Sequence, residues 1–397
     1  MFHHLVSHNA DLARLVDAGY AVGFDVGFLI IRDIPYLDQR LDLRIGALVS
    51  KLIDVDGEHV RQDDHQVFFA GSLPHGLDGR PIANLGGGPI TIALGPGCAD
   101  VVVERSFSNK PLSGAFADFF EKMDSYVTLI SGPATNRFPE TTPYTCRQVE
   151  EMPGDSVFKF QDTLTSRAEI ADLSNRLRDD IIAIVGAGGT GSYILDFLAR
   201  TPVREIRLYD ADEFHVHNAF RSPGALDPED LGRPKAEVCE KRYASFRRNV
   251  KGVVRMLDAD DLDQLADVTF AFVCVDKGHA RGEVHDVLLT QGIPFIDVGM
   301  GLRRRDGMLA GMLRTTAYLP DGAEQTRAAG WVPLADDPDD EYKTSIQTAE
   351  LNALNASIAV IRYKQFRGFY VDEAPWANHL FCVSDCLAAS ESVHGED

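Results

Sequence analysis

The residues whose types and spacing could do chemistry lie between positions 186 and 281. The stretch Gly186-Ala187-Gly188-Gly189-Thr190-Gly191-Ser192 has the glycine spacing that lets a backbone turn tightly, approach a phosphate and pack the following helix close to the preceding strand. A helix starting there aims its free N–H groups and positive dipole end at the anion. About 20 residues past the last glycine, Asp210 closes Glu205-Ile206-Arg207-Leu208-Tyr209-Asp210, the place for an acid that recognises a ribose. Asp212 follows in Asp210-Ala211-Asp212. Asn218 and Arg221 lie in His217-Asn218-Ala219-Phe220-Arg221, Lys235 in Gly232-Arg233-Pro234-Lys235, and Asp276 after Phe272-Val273-Cys274-Val275, with Arg281 further on. Hydride transfer has no use for an Arg, a Lys and an Asp around the phosphates. Adenylyl transfer needs all three, because charge builds on the α-phosphate oxygens and on leaving pyrophosphate. Asp276 offers the hard oxygen ligand that Mg²⁺ takes together with phosphate.

These residues must be carried by strands that end where the helices begin. Ile181 to Val185 is a buried-strand pattern running into the glycine turn, and Tyr193 to Leu198 has apolar residues at helical spacing. A second strand at 205–210, a helix opened by Pro234 and running to about Arg248, strands at 253–257 and 268–275, a helix at 279–289 and a strand at 293–298 follow. One or two strands at 308–318, a polar acidic loop at 321–340 and a closing, mostly apolar helix at 346–363 complete the half. The alternation predicts an α/β fold with a doubly wound, mostly parallel Rossmann-like sheet. The first 150 residues read differently. A short helix at 5–18, strands at 28–31, 48–53, 67–69, 89–94 and 101–103, a helix through Phe116, Phe119, Phe120 and Met123, and a last strand at 126–130 closed by Ser131-Gly132-Pro133 predict a strand-rich α+β domain. Residues 132–165 read as a linker, and the expected domains are 1–150 and 151–397.

Composition narrows the partners. The 397 residues carry 60 acidic against 39 basic side chains, a formal net charge of −21, which argues against a nucleic-acid backbone as the main partner. The apolar stretch from Tyr20 to Ile31 is interrupted by Asp25 and two glycines, so neither a membrane span nor a secretion signal is expected and the chain reads as cytoplasmic. Six cysteines form no CxxC pair and no disulfide framework. Cys274 and Cys239 fall on predicted buried faces, whereas Cys382, Cys386 and Cys98 are placed for exposure, which a reactive thiol needs. His65 and His75 lie among Asp63, Asp64 and Asp78 without metal-ligand spacing.

As a set, the glycine turn, Asp210-Ala211-Asp212, Asn218 to Arg221, Lys235 and Asp276 to Arg281 resemble the ThiF-type adenylyltransferases, which include ubiquitin-activating enzymes and the activators of sulfur-carrier proteins. The resemblance covers about Thr163 to Phe369. It implies that Gly186, Gly188, Gly189 and Gly191 hold ATP, that the first Asp binds ribose, that Asn218, Arg221 and Lys235 contact phosphates, and that Asp276 coordinates Mg²⁺. It implies as product an acyl-adenylate on the C-terminal glycine of a ubiquitin-like protein, and a homodimer in which Arg167 crosses to the partner's ATP. The leading domain resembles that of bacterial activating proteins found beside ubiquitin-like and conjugating partners, a resemblance that implies docking of a carrier or conjugating enzyme.

The sequence departs from the family at three points, the first of which bears on the acyl acceptor. Many relatives carry a cysteine before the final core helix, where this chain has Glu341-Tyr342-Lys343-Thr344-Ser345-Ile346-Gln347. Ser345 could form an oxyester but is a weak nucleophile without an adjacent base, and Cys382, Cys386 or a partner's thiol are the other candidate acceptors. Lys277 replaces the usual amide after the late Asp, and the four-cysteine zinc site is missing. Two other classes use the same turn: an NAD-dependent oxidoreductase, and a nucleotide-binding scaffold without catalysis.

Overall fold

The computed structural model describes residues 2–25, 27–56, 58–149, 156–160, 162, 164–165, 168, 170–257, 262–335 and 346–393. Two compact units, Met1–Ala171 and Asp172–Asp397, account for the chain.

The first unit opens with α1 (Phe2–His8) and α2 (Ala10–Asp17), then β1 (Ala21–Asp25), β2 (Phe28–Leu37), β3 (Leu43–Asp54), β4 (Val60–Gln62), β5 (Val67–Ala70), β6 (Gly88–Pro89), β7 (Arg105–Phe107) and α3 (Phe119–Arg137). The strands form one antiparallel sheet in the order β1-β2-β3-β5-β7-β6, with β4 alongside β3. Its core joins Leu12 and Leu15 of α2, Leu29 and Ile31 of β2, Phe69 of β5 and Phe119, Met123, Tyr126 and Ile130 of α3.

The strand expected at 126–130 is instead the middle of α3. Tyr126, Val127, Ile130 and Ala134 continue the helical spacing of Phe119 and Met123 and are buried with them. The β-branched and aromatic types suggested a strand, and the period decided otherwise. Gly132 and Pro133, read as terminators, sit inside this 19-residue helix, so the expected linker begins later than 132. The expected strands at 89–94 and 101–103 reduce to the two residues of β6 and to irregular backbone.

The second unit contains α4 (Ala171–Asn175), β8 (Ile181–Val185), α5 (Gly189–Leu198), β9 (Glu205–Tyr209), α6 (Val216–Ala219), α7 (Lys235–Tyr243), β10 (Val250–Val253), α8 (Leu262–Leu265), β11 (Phe270–Val273), α9 (Gly278–Thr290), β12 (Phe295–Arg305), β13 (Met308–Tyr318), α10 (Ala323–Ala328), α11 (Ala349–Phe366), β14 (Asn378–Cys382) and β15 (Leu387–Glu391). Eight strands form one sheet in the order β10-β9-β8-β11-β12-β13-β14-β15. The first five are parallel and the last three are added antiparallel. All five residues of β8 are buried, as a central strand covered on both faces requires. The third strand of the half is Val250–Val253 rather than 253–257, and the helix opened by Pro234 stops at Tyr243. The polar loop at 321–340 contains α10. The C-terminal stretch pairs as β14 and β15 and extends the sheet.

The order around β8 is a topological switch point: the chain leaves β8 toward β9 and β10 on one side and returns to β11 and β12 on the other. Ligands of doubly wound sheets bind in the crevice outside the carboxyl ends of the strands at that point.

Candidate nucleotide site

β8 runs into Gly186, whose φ is +98°, a conformation that side chains rarely adopt. A Cβ there would stand 2.8 Å from the Cys274 carbonyl oxygen, and one on Gly191 would stand 1.9 Å from the Gly186 carbonyl oxygen. The turn is therefore pressed between β11 and α5, and glycine is required by contact as well as by φ. Gly188 caps α5 with extended backbone, so the first N–H groups of a ten-residue helix open at the switch point.

Asp210 stands at the end of β9 and is buried. It receives the Ala187 N–H at 2.7 Å and the Asp212 N–H at 2.8 Å. The first acid of the Asp-Ala-Asp motif thus fastens the glycine turn to the neighbouring strand end. Burial raises the pKa of its carboxyl, against the pull of Lys235 and the two N–H groups. Asp212 is different: its side chain is 73% exposed and accepts from Lys235 Nζ at 2.7 Å. That bond, with Lys277 and His215 adding to it, holds its carboxyl below the ordinary value.

Lys235 is the first residue of α7 and is buried. Its N–H donates to the Asp212 carbonyl at 2.8 Å, and its ammonium lies 4.0 Å from Asp210 Oδ1. Asn218 is also buried, but its amide oxygen is spent on the His215 N–H at 2.8 Å, closing a capping box around α6. Asn218 thereby shapes the segment that carries Arg221, whose N–H bonds the Asn218 carbonyl at 3.2 Å. The Arg221 side chain keeps a buried Nε with no hydrogen-bond partner.

Asp276 follows β11, is exposed and makes no hydrogen bond or ion pair with a described residue. No group of three or more His, Cys, Asp or Glu able to hold a metal occurs among the described residues. A single open carboxylate beside a phosphate-binding turn is nevertheless the donor set Mg²⁺ uses, since that ion takes one or two carboxylates and completes its shell with phosphate oxygens and water. Behind Asp276, Arg281 donates to the Val275 carbonyl at 2.5 Å and the Pro333 carbonyl at 3.2 Å. It also stands 3.3 Å from Asp297. Asp297 is fully buried and bonded by His285 at 2.9 Å and Arg314 at 2.5 Å. Burial works to raise its pKa, and the three basic groups outweigh it and hold the carboxyl below its ordinary value.

The structure thus gathers the glycine turn, Asp210, Asp212, Asn218, Lys235 and Lys277 around one strand-end crevice. Arg167 and Ser345 lie outside the described residues. Among the thiols, Cys239 is buried and pushed up to about 12 by that burial, and burial raises Cys274 as well. Cys98, expected to be exposed, is buried with Ile30, Val49 and Phe68. Cys382 is half-buried at the end of β14, and Cys386 is exposed in the β14–β15 loop. Sequence reasoning missed Asn352 and Asn355, two fully buried polar residues on α11. Their signal was legible: two amides at i and i+3 on the apolar face of a helix.

Fold and site together define a nucleotide-binding unit of the doubly wound α/β class. Residues 163–318 match the ThiF family, and residues 10–163 match the Domain of unknown function (DUF6791). The chain carries a ThiF-family adenylation domain in its C-terminal half, preceded by a DUF6791 domain. It is 27% identical over 136 residues to the sulfur carrier protein ThiS adenylyltransferase of Escherichia coli, a match covering 33% of this chain and 54% of that protein. It is 42% identical over 118 residues to the NEDD8-activating enzyme E1 catalytic subunit of Arabidopsis thaliana, covering 28% of this chain and 26% of that one. The chain thus spans about half or less of the length of these curated relatives. Among solved structures, E. coli MccB with ATP is similar at a TM-score of 0.42 and 17% identity, over 56% of this chain and 66% of that one.

Proposed function

We propose that this chain catalyses ATP- and Mg²⁺-dependent adenylation of the C-terminal glycine of a ubiquitin-like or sulfur-carrier-like protein. The observation that carries the reading is the combination of unspent charge around the glycine turn: Arg221 with an orphaned buried Nε, and Asp276 with a carboxylate that no described residue takes up. Membership of the second unit in the ThiF family supports it.

In this reading the N–H groups at the start of α5 hold the phosphate chain, and the acid-lined end of β9 receives the ribose. Asp210 already accepts two backbone N–H groups, so the exposed Asp212 carboxylate is the better-supplied acceptor for a ribose hydroxyl. Lys235 and Arg221 neutralise charge as the carrier's carboxylate oxygen attacks the α-phosphorus and pyrophosphate departs. Asp276 would hold Mg²⁺, which would supply further neutralisation of the phosphates. The products are an acyl-adenylate and pyrophosphate. Arg167 completes the site across a homodimer, and the acyl group passes to Cys382 or Cys386, to Ser345, or to the thiol of a conjugating enzyme. The first unit docks the carrier or that enzyme.

The test is carrier-dependent exchange of labelled pyrophosphate into ATP. Exchange is expected with the cognate carrier, and Lys235→Ala and Asp276→Ala are each expected to lower it by at least about a hundredfold, the usual scale for removing a charge-stabilising group. Tight nucleotide binding without exchange would overturn the catalytic reading, and tighter binding of NAD than ATP would favour an oxidoreductase. An adduct with labelled carrier lost on thiol treatment would indicate cysteine; one stable to thiol but lost in mild base would indicate Ser345.

A further inference from the structure

α11 does more than close the core. Three residues past its start stands Asn352, fully buried, against the helix that begins at the glycine turn. Its amide occupies the space a side chain on Gly189 would fill: a Cβ there would lie 2.1 Å from Asn352 Nδ2 and 2.8 Å from its Oδ1. Gly189 is therefore glycine because α11 presents an amide at that point. Asn352 Oδ1 accepts the Thr190 hydroxyl at 2.8 Å, and Nδ2 donates to the Arg221 carbonyl at 3.3 Å. One side chain thus ties together the turn that begins α5 and the segment that carries the arginine with the orphaned Nε. Asn355, one turn on, makes an analogous pair of bonds to Thr315 Oγ1 and the Gly299 carbonyl. These serve only the sheet, so the contrast isolates what Asn352 adds.

We propose that Asn352 is a positioning residue of the nucleotide site. It holds the first turn of α5 and the Arg221 segment in one geometry, so that the helix N–H groups and the Arg221 guanidinium face the same phosphate chain. A buried amide satisfied on both sides is a rigid link, because breaking either bond leaves a polar group unpaired in the core. The proposal rests on the reading of this crevice as an ATP site.

The experiment measures ATP and adenosine binding by titration calorimetry on the full-length wild type, Asn352→Leu, Arg221→Ala, their double variant and Thr190→Val. Adenosine has no phosphates and reports whether the rest of the crevice is intact. Asn352→Leu is expected to weaken ATP about tenfold, the scale of one net hydrogen bond, and to leave adenosine unchanged. If Asn352 acts through Arg221, the double variant loses clearly less than the product of the single losses. Equal weakening of ATP and adenosine, full additivity with Arg221→Ala, or lowered thermal stability with unchanged ATP affinity would each overturn the proposal. Should Asn352→Leu fail to fold, Thr190→Val breaks one of the two bonds: selective loss of ATP supports the proposal, and unchanged ATP affinity overturns it. A wild type that binds adenosine and NAD but gains nothing from the phosphates of ATP would overturn the underlying reading as well, and is distinguishable because it appears before any substitution is made.

Discussion

At the scale of single residues, the positions that matter combine a chemical type with a contact that permits no other. Gly191 is the sharpest case, since its missing Cβ lies 1.9 Å from a backbone carbonyl oxygen that cannot move without unpacking β8. Gly191→Ala is therefore expected to cost at least about 1–3 kcal/mol, the usual range for overpacking, read as a lower denaturation midpoint with an unchanged slope. In the first unit, Lys122 is 1% exposed and donates to Ser50 Oγ at 3.0 Å and the Asp64 carbonyl at 2.6 Å, with no carboxylate hydrogen-bonded to it among the described residues. Burial pushes it down to about 8 from 10.5. Because its folded pKa is the lower one, the unfolded chain binds more protons between about pH 8 and 10.5, and stability rises with pH across that window. The gain is on the order of 3 kcal/mol at 1.36 kcal/mol per unit. Lys122→Met should remove that rise, seen by comparing urea midpoints of the two proteins at pH 7.5 and 10; parallel pH dependence would sink the assignment.

At the scale of elements, α11 is held at both ends by polar contacts, which its mostly apolar sequence does not advertise. Its start is fixed by Asn352 and Asn355. Its end is fixed by Asp180, the residue before β8, which accepts from Tyr363 at 2.5 Å, from Arg367 at 2.9 and 2.7 Å and from Thr269 at 2.6 Å. Asp180 is buried, so removing it strands a guanidinium and two hydroxyls together. Asp180→Ala should destabilise the second unit by about 3–5 kcal/mol, the range for breaking a buried pair from one side, measurable by chemical denaturation. On the far side, β14 and β15 extend the sheet because β13 presents a free edge on which they pair.

At the scale of the molecule, the two units have separate cores, one between α3 and an antiparallel sheet and one around a mostly parallel sheet. Separate cores of this size unfold as separate cooperative steps unless a large interface couples them. Scanning calorimetry is therefore expected to show two transitions, with ATP and Mg²⁺ raising only the one that belongs to the ThiF-family unit, since a ligand stabilises only the state it binds. A shift in the other transition on adding ATP and Mg²⁺ would contradict this assignment of the nucleotide to the second unit alone, and a single transition would contradict independent unfolding of the two cores.

Much of this was determined by sequence alone. The run Ile181 to Val185, the glycine turn and the alternation of strands and helices specify the doubly wound sheet, because burial on both faces and the helix N-terminus leave local signatures of composition and period. The chemical types at Asp210, Arg221, Lys235 and Asp276 are legible for the same reason. Tertiary structure alone decided which acid fastens the turn and which faces outward, since Asp210 and Asp212 differ only in what surrounds them. It likewise decided that Cys98 is buried, whereas the helix at 126–130 was already written in the apolar period that Tyr126, Val127 and Ile130 continue from Phe119 and Met123. The link from Asn352 to Gly189 and Arg221 joins positions more than a hundred residues apart. No local pattern encodes that distance; only the packing of α11 against α5 brings the three together.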